Sequence, residues 1–282
     1  MISDSTLMTQ KQNQWIKMMM GALLVIGLLL LAKLAAAMTD ARRTASLSEG
    51  NAGGQPEVSS QIGIGQGFLS ENAAVERRPG QECIVIDPGH GGADPGKVGV
   101  NGALEKDINL QMAYLLKERL EAEGFYVILT RTTDAIPGGE NEEITKVQDL
   151  QNRIRLITEE APLMVVSIHQ NSYPQESICG AQVFYYETSE EGRELAECIQ
   201  RHLILAADDG NHRQAKGNTS YFLLKKTPVA TVIVECGFLS NWREAELLQQ
   251  EDYQRLMTDA IADGMLEYLG RESSVSGNES AE

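Results

Sequence analysis

The sequence predicts an α/β fold in which a central, mostly parallel or mixed sheet of about six strands carries helices on both faces. Short apolar runs that end at glycine, proline or polar residues recur along the chain, and such runs are typical of strands buried on both faces. Longer segments between them carry apolar residues every three or four positions, as amphipathic helices do. Strands that alternate with helices form sheets covered by helices.

The individual elements follow from these two periodicities. Six strands are predicted, at residues 83–86, 126–131, 163–169, 181–186, 221–224 and 230–235. Five helices are predicted, at residues 106–123, around 150–157, and at 190–205, 243–249 and 253–269. Turn residues separate them: Pro88 stops the first strand, Gly124 ends the first helix, and Pro228 precedes the last strand. The polar segment 134–143 is predicted to be a surface loop.

The composition narrows the classes of function. With 282 residues, of which 42% are hydrophobic, the chain can build one sizeable core. Its formal net charge of −16 argues against nucleic acid as a partner, because the phosphates would be repelled. Aromatic residues make up only 5% of the chain, which disfavours a stacking platform for bases or sugars.

An apolar segment, residues 18–38, is interrupted only by Lys33. As a helix it is about long enough to cross the ~30 Å hydrocarbon core of a bilayer. We therefore expect a cytoplasmic N-terminus (1–17) followed by a transmembrane signal-anchor (18–38). A signal peptide cleaved after residues 35–37 is the competing interpretation. Basic residues on both sides of the segment leave its orientation open.

The regions that flank the predicted globular domain are polar. Residues 39–80 are rich in Ser, Gly, Asn, Gln and Glu, which predicts a flexible linker. Residues 271–282 are similar in composition, and we expect a disordered tail there. The globular domain is accordingly predicted to span residues 81–270.

Three of the predicted buried strands end in an ionisable group. His90 follows the first strand, His169 ends the third, and Glu235 ends the last. Such a group is costly in apolar surroundings unless it is paired, hydrogen-bonded or close to a metal. Because open α/β sheets bind their ligands at the carboxyl ends of the strands, we expect the three side chains to meet in one crevice.

A fourth group, Glu105, lies where the loop from the first strand enters the first predicted helix. A surface acid that favours the helix dipole is the alternative interpretation of this residue. The glycine-rich loop between His90 and Glu105 allows the chain to fold back over the tip of the first strand. Two imidazoles, one carboxylate and an open fourth position make a catalytic zinc site, and the remaining carboxylate suits a general base. His202, in a predicted helix, and His212, in a polar loop, are interpreted as ordinary surface or packing residues.

The four cysteines give no sign of a thiolate metal site, because none of them forms a C-x-x-C pair. Cys83 and Cys236 fall within predicted strands, where a buried cysteine behaves as a small hydrophobe. A disulfide is left open, since its pairing is not encoded in the spacing.

Four motifs resemble, in order, those of the zinc-dependent N-acetylmuramoyl-L-alanine amidases. They are Asp-Pro-Gly-His-Gly-Gly at 87–92, Leu-Glu-Lys-Asp at 104–107, Ser-Ile-His-Gln-Asn-Ser at 167–172 and Val-Glu-Cys-Gly-Phe-Leu-Ser-Asn at 234–241. The resemblance covers the whole predicted domain. Within that family the chain looks most like the CwlD-type amidases of endospore formers. Three features support this resemblance: the apolar N-terminal segment, residues 180–186, and the absence of room for a wall-binding repeat domain.

The resemblance implies one zinc ion per chain, bound by His90, Glu105 and His169, with Glu235 as the catalytic acid/base. It implies hydrolysis of the amide between N-acetylmuramic acid and L-alanine of the peptidoglycan stem peptide. The resemblance to the CwlD type further implies that the enzyme removes stem peptides from spore-cortex peptidoglycan. This is the first step toward muramic δ-lactam, and a peptidoglycan deacetylase acts after it. A need for an accessory or activating protein is left open. Because this substrate lies outside the membrane, we expect a membrane-anchored, extracytoplasmic catalytic domain.

Four neighbouring residues carry weaker expectations. Asn171 is a candidate substrate contact, together with backbone donors of the glycine-rich loop. Asp87 is a candidate hydrogen-bond partner of a ligand imidazole, with an ordinary turn-stabilising role as the alternative. Gln170 and Cys236 depart from the residues usual in the family at those positions, and Gln170, beside a ligand, is the one expected to alter the fit of the substrate.

Three other functions compete with the amidase interpretation. The first is a non-catalytic peptidoglycan-binding module of the same fold. The second is a zinc hydrolase that acts on another cell-wall amide or ester, and the third is a membrane-bound assembly factor whose domain lies inside the cell. Fold and metal do not by themselves define a substrate.

Overall fold

A six-stranded mixed sheet forms the centre of the computed structural model, which describes residues 77–135, 144–207 and 210–272. These residues fall within the unit Ala73–Glu282. The predicted N-terminus, signal-anchor, most of the linker, part of the 134–143 loop and most of the tail lie outside the described residues. In the described ranges, no helix combines the length and the apolar character that a membrane span requires.

The sheet is mixed, which is one of the two forms that the sequence predicts. Its order is β2-β1-β3-β6-β4-β5; β2, β1, β3 and β6 run parallel, β4 is antiparallel to β6, and β5 is parallel to β4. The strands are β1 (Cys83–Pro88), β2 (Tyr126–Leu129), β3 (Met164–Asn171), β4 (Gln182–Tyr186), β5 (Lys216–Asn218) and β6 (Ala230–Phe238). The three unbroken apolar runs of the sequence form the neighbouring strands β1, β3 and β6, which are buried on both faces.

Helices cover both faces of the sheet. They are α1 (Glu105–Ala122), α2 (Lys146–Glu160), α3 (Glu190–Ala207), α4 (Phe222–Lys226), α5 (Trp242–Leu247) and α6 (Glu251–Tyr268). The larger core lies between the sheet and α1, α3 and α6, and receives Ile84 and Ile86 of β1. On the other face α2 and α4 pack against smaller clusters, and Val85 points to that side. The side chains of successive β1 residues thus point into opposite cores, as the pleat of a strand requires.

One predicted strand is wrong. Residues 221–224 do not form a strand, because the helix α4 occupies Phe222–Lys226 and the short strand β5 lies earlier, at Lys216–Asn218. An apolar run of four residues does not distinguish a strand from a helix turn, and leucine and lysine favour the helix. The side chain of Asn218 accepts hydrogen bonds from the backbone N–H groups of Ser220 and Tyr221, which turns the chain into α4.

Candidate metal centre and catalytic site

A cavity of about 520 Å³ opens beside the carboxyl ends of β1, β3 and β6. His90, Glu105, His169 and Glu235 all line it. Because β1, β3 and β6 are parallel neighbours, their carboxyl ends lie along one edge of the sheet. The prediction that three strand ends and the start of the first helix meet in one crevice is therefore confirmed.

Short backbone contacts fold the glycine-rich loop back, so that Glu105 reaches His90. Isolated bridges join Gly91 to Asp94 and Val98 to Leu104, the residue before α1. At Gly96, whose φ angle is +67°, an added Cβ would lie 2.5 Å from Oε2 of Glu105 and 2.7 Å from Cδ2 of His90. The loop can therefore approach the two side chains this closely only with glycine at position 96.

The carboxylate of Glu105 stands between the two imidazoles. Its Oε1 lies 3.1 Å from Nε2 of His90 and 3.0 Å from Nδ1 of His169. The two rings meet edge-on, with their centroids 5.0 Å apart and their planes at 78°. One ligand atom from each residue lies within 4.8 Å of the other two. Two imidazoles and one carboxylate that converge in this way are a donor set that suits a catalytic zinc ion.

The electrostatics of the cluster keep Glu105 ionised. Burial alone would raise its pKa, but hydrogen bonds from His169 and His90 hold the pKa of this carboxyl well below its usual range. For His90, burial would lower the pKa, but Glu105 and Asp94 outweigh it and raise the pKa of the imidazole. Metal ligands must be deprotonated, so an ionised Glu105 is ready to bind a cation.

The carboxylate that pairs with the imidazole of His90 is Asp94, not Asp87. Oδ2 of Asp94 lies 3.1 Å from Nδ1 of His90, the ring nitrogen that faces away from Glu105, and 2.9 Å from Nζ of Lys146. A carboxylate in this position orients a metal-binding imidazole and selects its tautomer. The sequence offered one local signal, since Asp94 follows His90 by four residues in the same loop.

The expectation for Asp87 as an imidazole partner is thus wrong. Asp87 belongs to β1, and its side chain points to the face that α2 covers. There it accepts hydrogen bonds from Thr130 Oγ1 (2.6 Å) and Ser167 Oγ (2.6 Å) and pairs with Nη1 of Arg153 (2.7 Å). Sequence reasoning missed Arg153, although it follows Leu150 by three positions and lies on the apolar stripe of the predicted helix.

Glu235 has the properties of a proton carrier. Its Oε2 is buried and has no hydrogen-bond partner among the described residues. Burial and the neighbouring Glu105 raise the pKa of Glu235 to about 7, although His169 and His90 act in the opposite direction. A carboxyl group that titrates near neutral pH can both take up and release a proton during a reaction.

The remaining candidates are placed as follows. Asn171, at the end of β3, lines the cavity, and its Oδ1 accepts a hydrogen bond from the N–H of Ser172 (2.7 Å). The backbone N–H of Gln170 donates to Oε1 of Glu105 (3.1 Å). His202 pairs with Glu267 on the surface, and His212 is exposed, so neither joins the cluster. The roles of Asn171 and Gln170 toward substrate stay predictions.

The cysteines take no part in the site. Cys83 and Cys236 are buried in β1 and β6, as predicted, and all four cysteines of the chain are free thiols in the structure.

Known proteins match this chain over nearly all of the predicted globular domain. The family model described as N-acetylmuramoyl-L-alanine amidase matches residues 84–267. The germination-specific N-acetylmuramoyl-L-alanine amidase of Bacillus subtilis (strain 168) is 36% identical over 191 residues, which make up 67% of this chain and 80% of that protein. The N-acetylmuramoyl-L-alanine amidase LytC of the same organism is 32% identical over 189 residues, which are 66% of this chain and 35% of LytC.

A solved structure agrees with these sequence matches. The CwlD amidase from Clostridioides difficile, solved in complex with the GerS lipoprotein, is 38% identical to this chain. Its TM-score is 0.65, and the match covers 67% of this chain and 99% of that one. All four residues of the candidate site lie inside the range that the family model matches.

Proposed function

Because this chain belongs to the N-acetylmuramoyl-L-alanine amidase family, and is a peptidoglycan amidase of the CwlD type, we propose that its activity depends on one zinc ion per chain, bound by His90, Glu105 and His169. The observation that carries this proposal is the convergence of Nε2 of His90, Nδ1 of His169 and Oε1 of Glu105 beside a buried carboxyl oxygen of Glu235 that lacks a partner. The donor set fits zinc, since catalytic zinc sites use three protein ligands and keep a fourth position open.

Each residue of the site has a separate role in amide hydrolysis. Zinc held by His90, Glu105 and His169 would supply a Lewis acid for the substrate carbonyl and for water. The buried carboxylate of Glu235 would accept a proton from water as the water oxygen adds to the carbonyl carbon, and would pass that proton to the nitrogen of L-alanine as the C–N bond breaks. Asp94 holds the ring of His90 through Nδ1, so that Nε2 faces the cavity. Asn171, at the cavity wall, contacts the substrate.

We extend the proposal to the biological substrate. The B. subtilis relative is named as germination-specific, and the CwlD amidase is 38% identical to this chain. On this support, the chain removes stem peptides from spore-cortex peptidoglycan as the first step toward muramic δ-lactam. A peptidoglycan deacetylase is the partner reaction that follows, because lactam formation needs a free amine. The complex of CwlD with the GerS lipoprotein supports an accessory protein as a further partner.

The proposed location follows from the substrate. Peptidoglycan lies outside the cell membrane, so the domain at 81–270 is extracytoplasmic, and the apolar segment 18–38 anchors it. Protease added to intact protoplasts that carry the full chain then degrades the catalytic domain. Protection of the domain in intact protoplasts contradicts this location and favours an assembly factor inside the cell.

The reaction is tested on purified peptidoglycan with the full chain in detergent. Zinc-loaded chain releases free stem peptides, identified by mass spectrometry, and the release stops when a chelator removes the metal. A surface variant, His202→Gln, serves as the control, because His202 pairs with Glu267 away from the cavity. Activity that persists in metal-free chain contradicts zinc dependence. Binding of peptidoglycan without cleavage favours a non-catalytic module, and release of acetate favours a deacetylase.

A further inference from the structure

His90 has a strained backbone conformation. Its φ angle of 62° lies in the left-handed region, which residues with a Cβ rarely adopt. In the described part of the chain, Ala161 is the only other non-glycine residue with a positive φ angle. Strain of this kind persists only where the surroundings hold the backbone in place.

Two buried arginines bind three consecutive carbonyl groups in this turn. Arg153 donates from Nη1 to the carbonyl of Pro88 (2.8 Å) and from Nη2 to the carbonyl of His90 (2.7 Å). Arg131 donates from Nε to the carbonyl of Pro88 (3.0 Å) and from Nη2 to that of Gly89 (3.0 Å). Because a guanidinium is planar and rigid, these paired hydrogen bonds define the directions of the peptide groups.

Arg153 is held in turn by two carboxylates. Its side chain is 2% exposed, and it pairs with Oδ1 of Asp87 (2.7 Å) and Oδ1 of Asp149 (2.8 Å). Burial would raise the pKa of Asp87, but Arg153 and two hydroxyl donors lower it to about 2, so the pair is ionised at neutral pH. A buried ion pair often adds little stability over apolar residues of equal volume. The ion pair by itself is therefore weak evidence that this arginine serves stability.

We propose that Arg153, with Arg131 beside it, is a positioning residue of the metal centre. Through the carbonyl of His90, Arg153 maintains the left-handed turn that directs the imidazole toward Glu105. The turn is then already formed in the metal-free chain, and zinc binds without reordering residues 88–90. This inference rests on the proposed function, because it takes zinc as the ion that the site binds.

The test replaces Arg153 by lysine in the full chain. Arg153→Lys keeps a positive charge near Asp87, but its single nitrogen cannot replace a guanidinium that bonds Asp87 and two carbonyl groups together. We expect the zinc affinity, measured by competition with a chelating dye, to fall about tenfold to hundredfold, as it does when outer partners of metal ligands are lost. In metal-free chain, the backbone N–H groups of residues 89–92 should exchange faster with solvent.

Arg119→Lys is the matched control. Arg119 is also a mostly buried arginine that pairs with several acids, including Asp263 of α6 (3.1 Å), but it does not line the cavity. The substitution Arg119→Lys should lower the melting temperature and leave zinc affinity unchanged.

Unchanged zinc affinity in Arg153→Lys, or an equal loss in both variants, overturns the inference. If Arg153→Lys does not fold, Arg131→Lys decides in the same way: weaker zinc binding supports the inference and unchanged binding overturns it. A parent chain that binds no zinc contradicts the proposed function instead.

Discussion

His169 and Glu235 are in-register partners on the neighbouring parallel strands β3 and β6. Partners on adjacent strands are separated by about 4.8 Å, and the ladder that sets this distance is buried on both faces. A proposed metal ligand and the proposed proton carrier are therefore held at a defined separation by backbone hydrogen bonds. The rigid part of the site is its sheet, whereas the loop that carries His90 depends on side chains from other elements.

Glu235→Gln should abolish most of the activity and leave the metal in place. The amide keeps the size of the carboxyl group but cannot remove a proton, so release of stem peptides should fall about 10²–10⁴-fold. Zinc content, measured by metal analysis of the purified chain, should equal that of the parent, because Glu235 is not one of the three residues proposed to bind the metal. Activity within a few-fold of the parent excludes Glu235 as the acid/base.

The same substitution should change how the stability of the metal-free chain depends on pH. The pKa of Glu235 is raised from 4.5 to about 7, so the folded state binds a proton more tightly than the unfolded state. The protonated carboxyl group therefore stabilises the folded state fully below pH 4.5, and this stabilisation is lost as the pH rises to about 7. Above that pH the folded chain carries a buried carboxylate.

Relative to the parent, metal-free Glu235→Gln should therefore gain stability between pH 4.5 and 7, by up to about 3 kcal/mol. Urea unfolding of both chains at a series of pH values measures this difference. Glu197→Gln, on the surface of α3, is a suitable control, since its carboxyl is exposed. A difference between parent and Glu235→Gln that does not vary with pH contradicts the raised pKa.

Gly96→Ala should damage the metal centre through a direct clash. Its Cβ would lie 2.5 Å from Oε2 of Glu105 and 2.7 Å from Cδ2 of His90, so both ligands would have to move. We expect zinc affinity and activity to fall together, by about tenfold or more, since displaced ligands lose coordination geometry.

Gly102→Ala separates this clash from backbone strain. Gly102 also has a positive φ angle, +86°, but an added Cβ meets no atom within 4 Å. Both variants should lose about 1–2 kcal/mol of stability through the left-handed residue with a Cβ, and Gly96→Ala should lose more because of the clash. Only Gly96→Ala should lose zinc. Equal zinc binding by the two variants shows that the close approach at Gly96 is unimportant.

Asp94→Asn should weaken zinc binding without removing a ligand. The amide retains the shape of the side chain but not the charge that orients Nδ1 of His90, and we expect a loss of about 10–100-fold in zinc affinity. Lys146→Met is the control, because Lys146 pairs with the same carboxylate from an exposed position. Its effect on zinc affinity should be small, as for most exposed ion pairs. A larger loss in Lys146→Met than in Asp94→Asn contradicts the assigned role of Asp94.

Much of the architecture could be predicted because its signals are local. An unbroken apolar run is a property of consecutive residues, and so is the polar residue or glycine that ends it. This is why β1, β3 and β6 were predicted together with His90, His169 and Glu235 at their ends. The error at 221–224 has the same origin, since a run of four apolar residues carries too little periodicity to separate a strand from the helix α4.

The sequence by itself therefore determined the α/β class, the residues at the strand ends and the four groups of the site. The tertiary structure decided how those groups are supported: Asp94 rather than Asp87 pairs with the imidazole of His90, and Arg153 binds the turn at His90. The physical reason is side-chain direction. Which side of the sheet a residue of β1 faces, and which helix residue meets it there, depends on strand pleat, register and helix docking, and these are set by the packing of the whole domain.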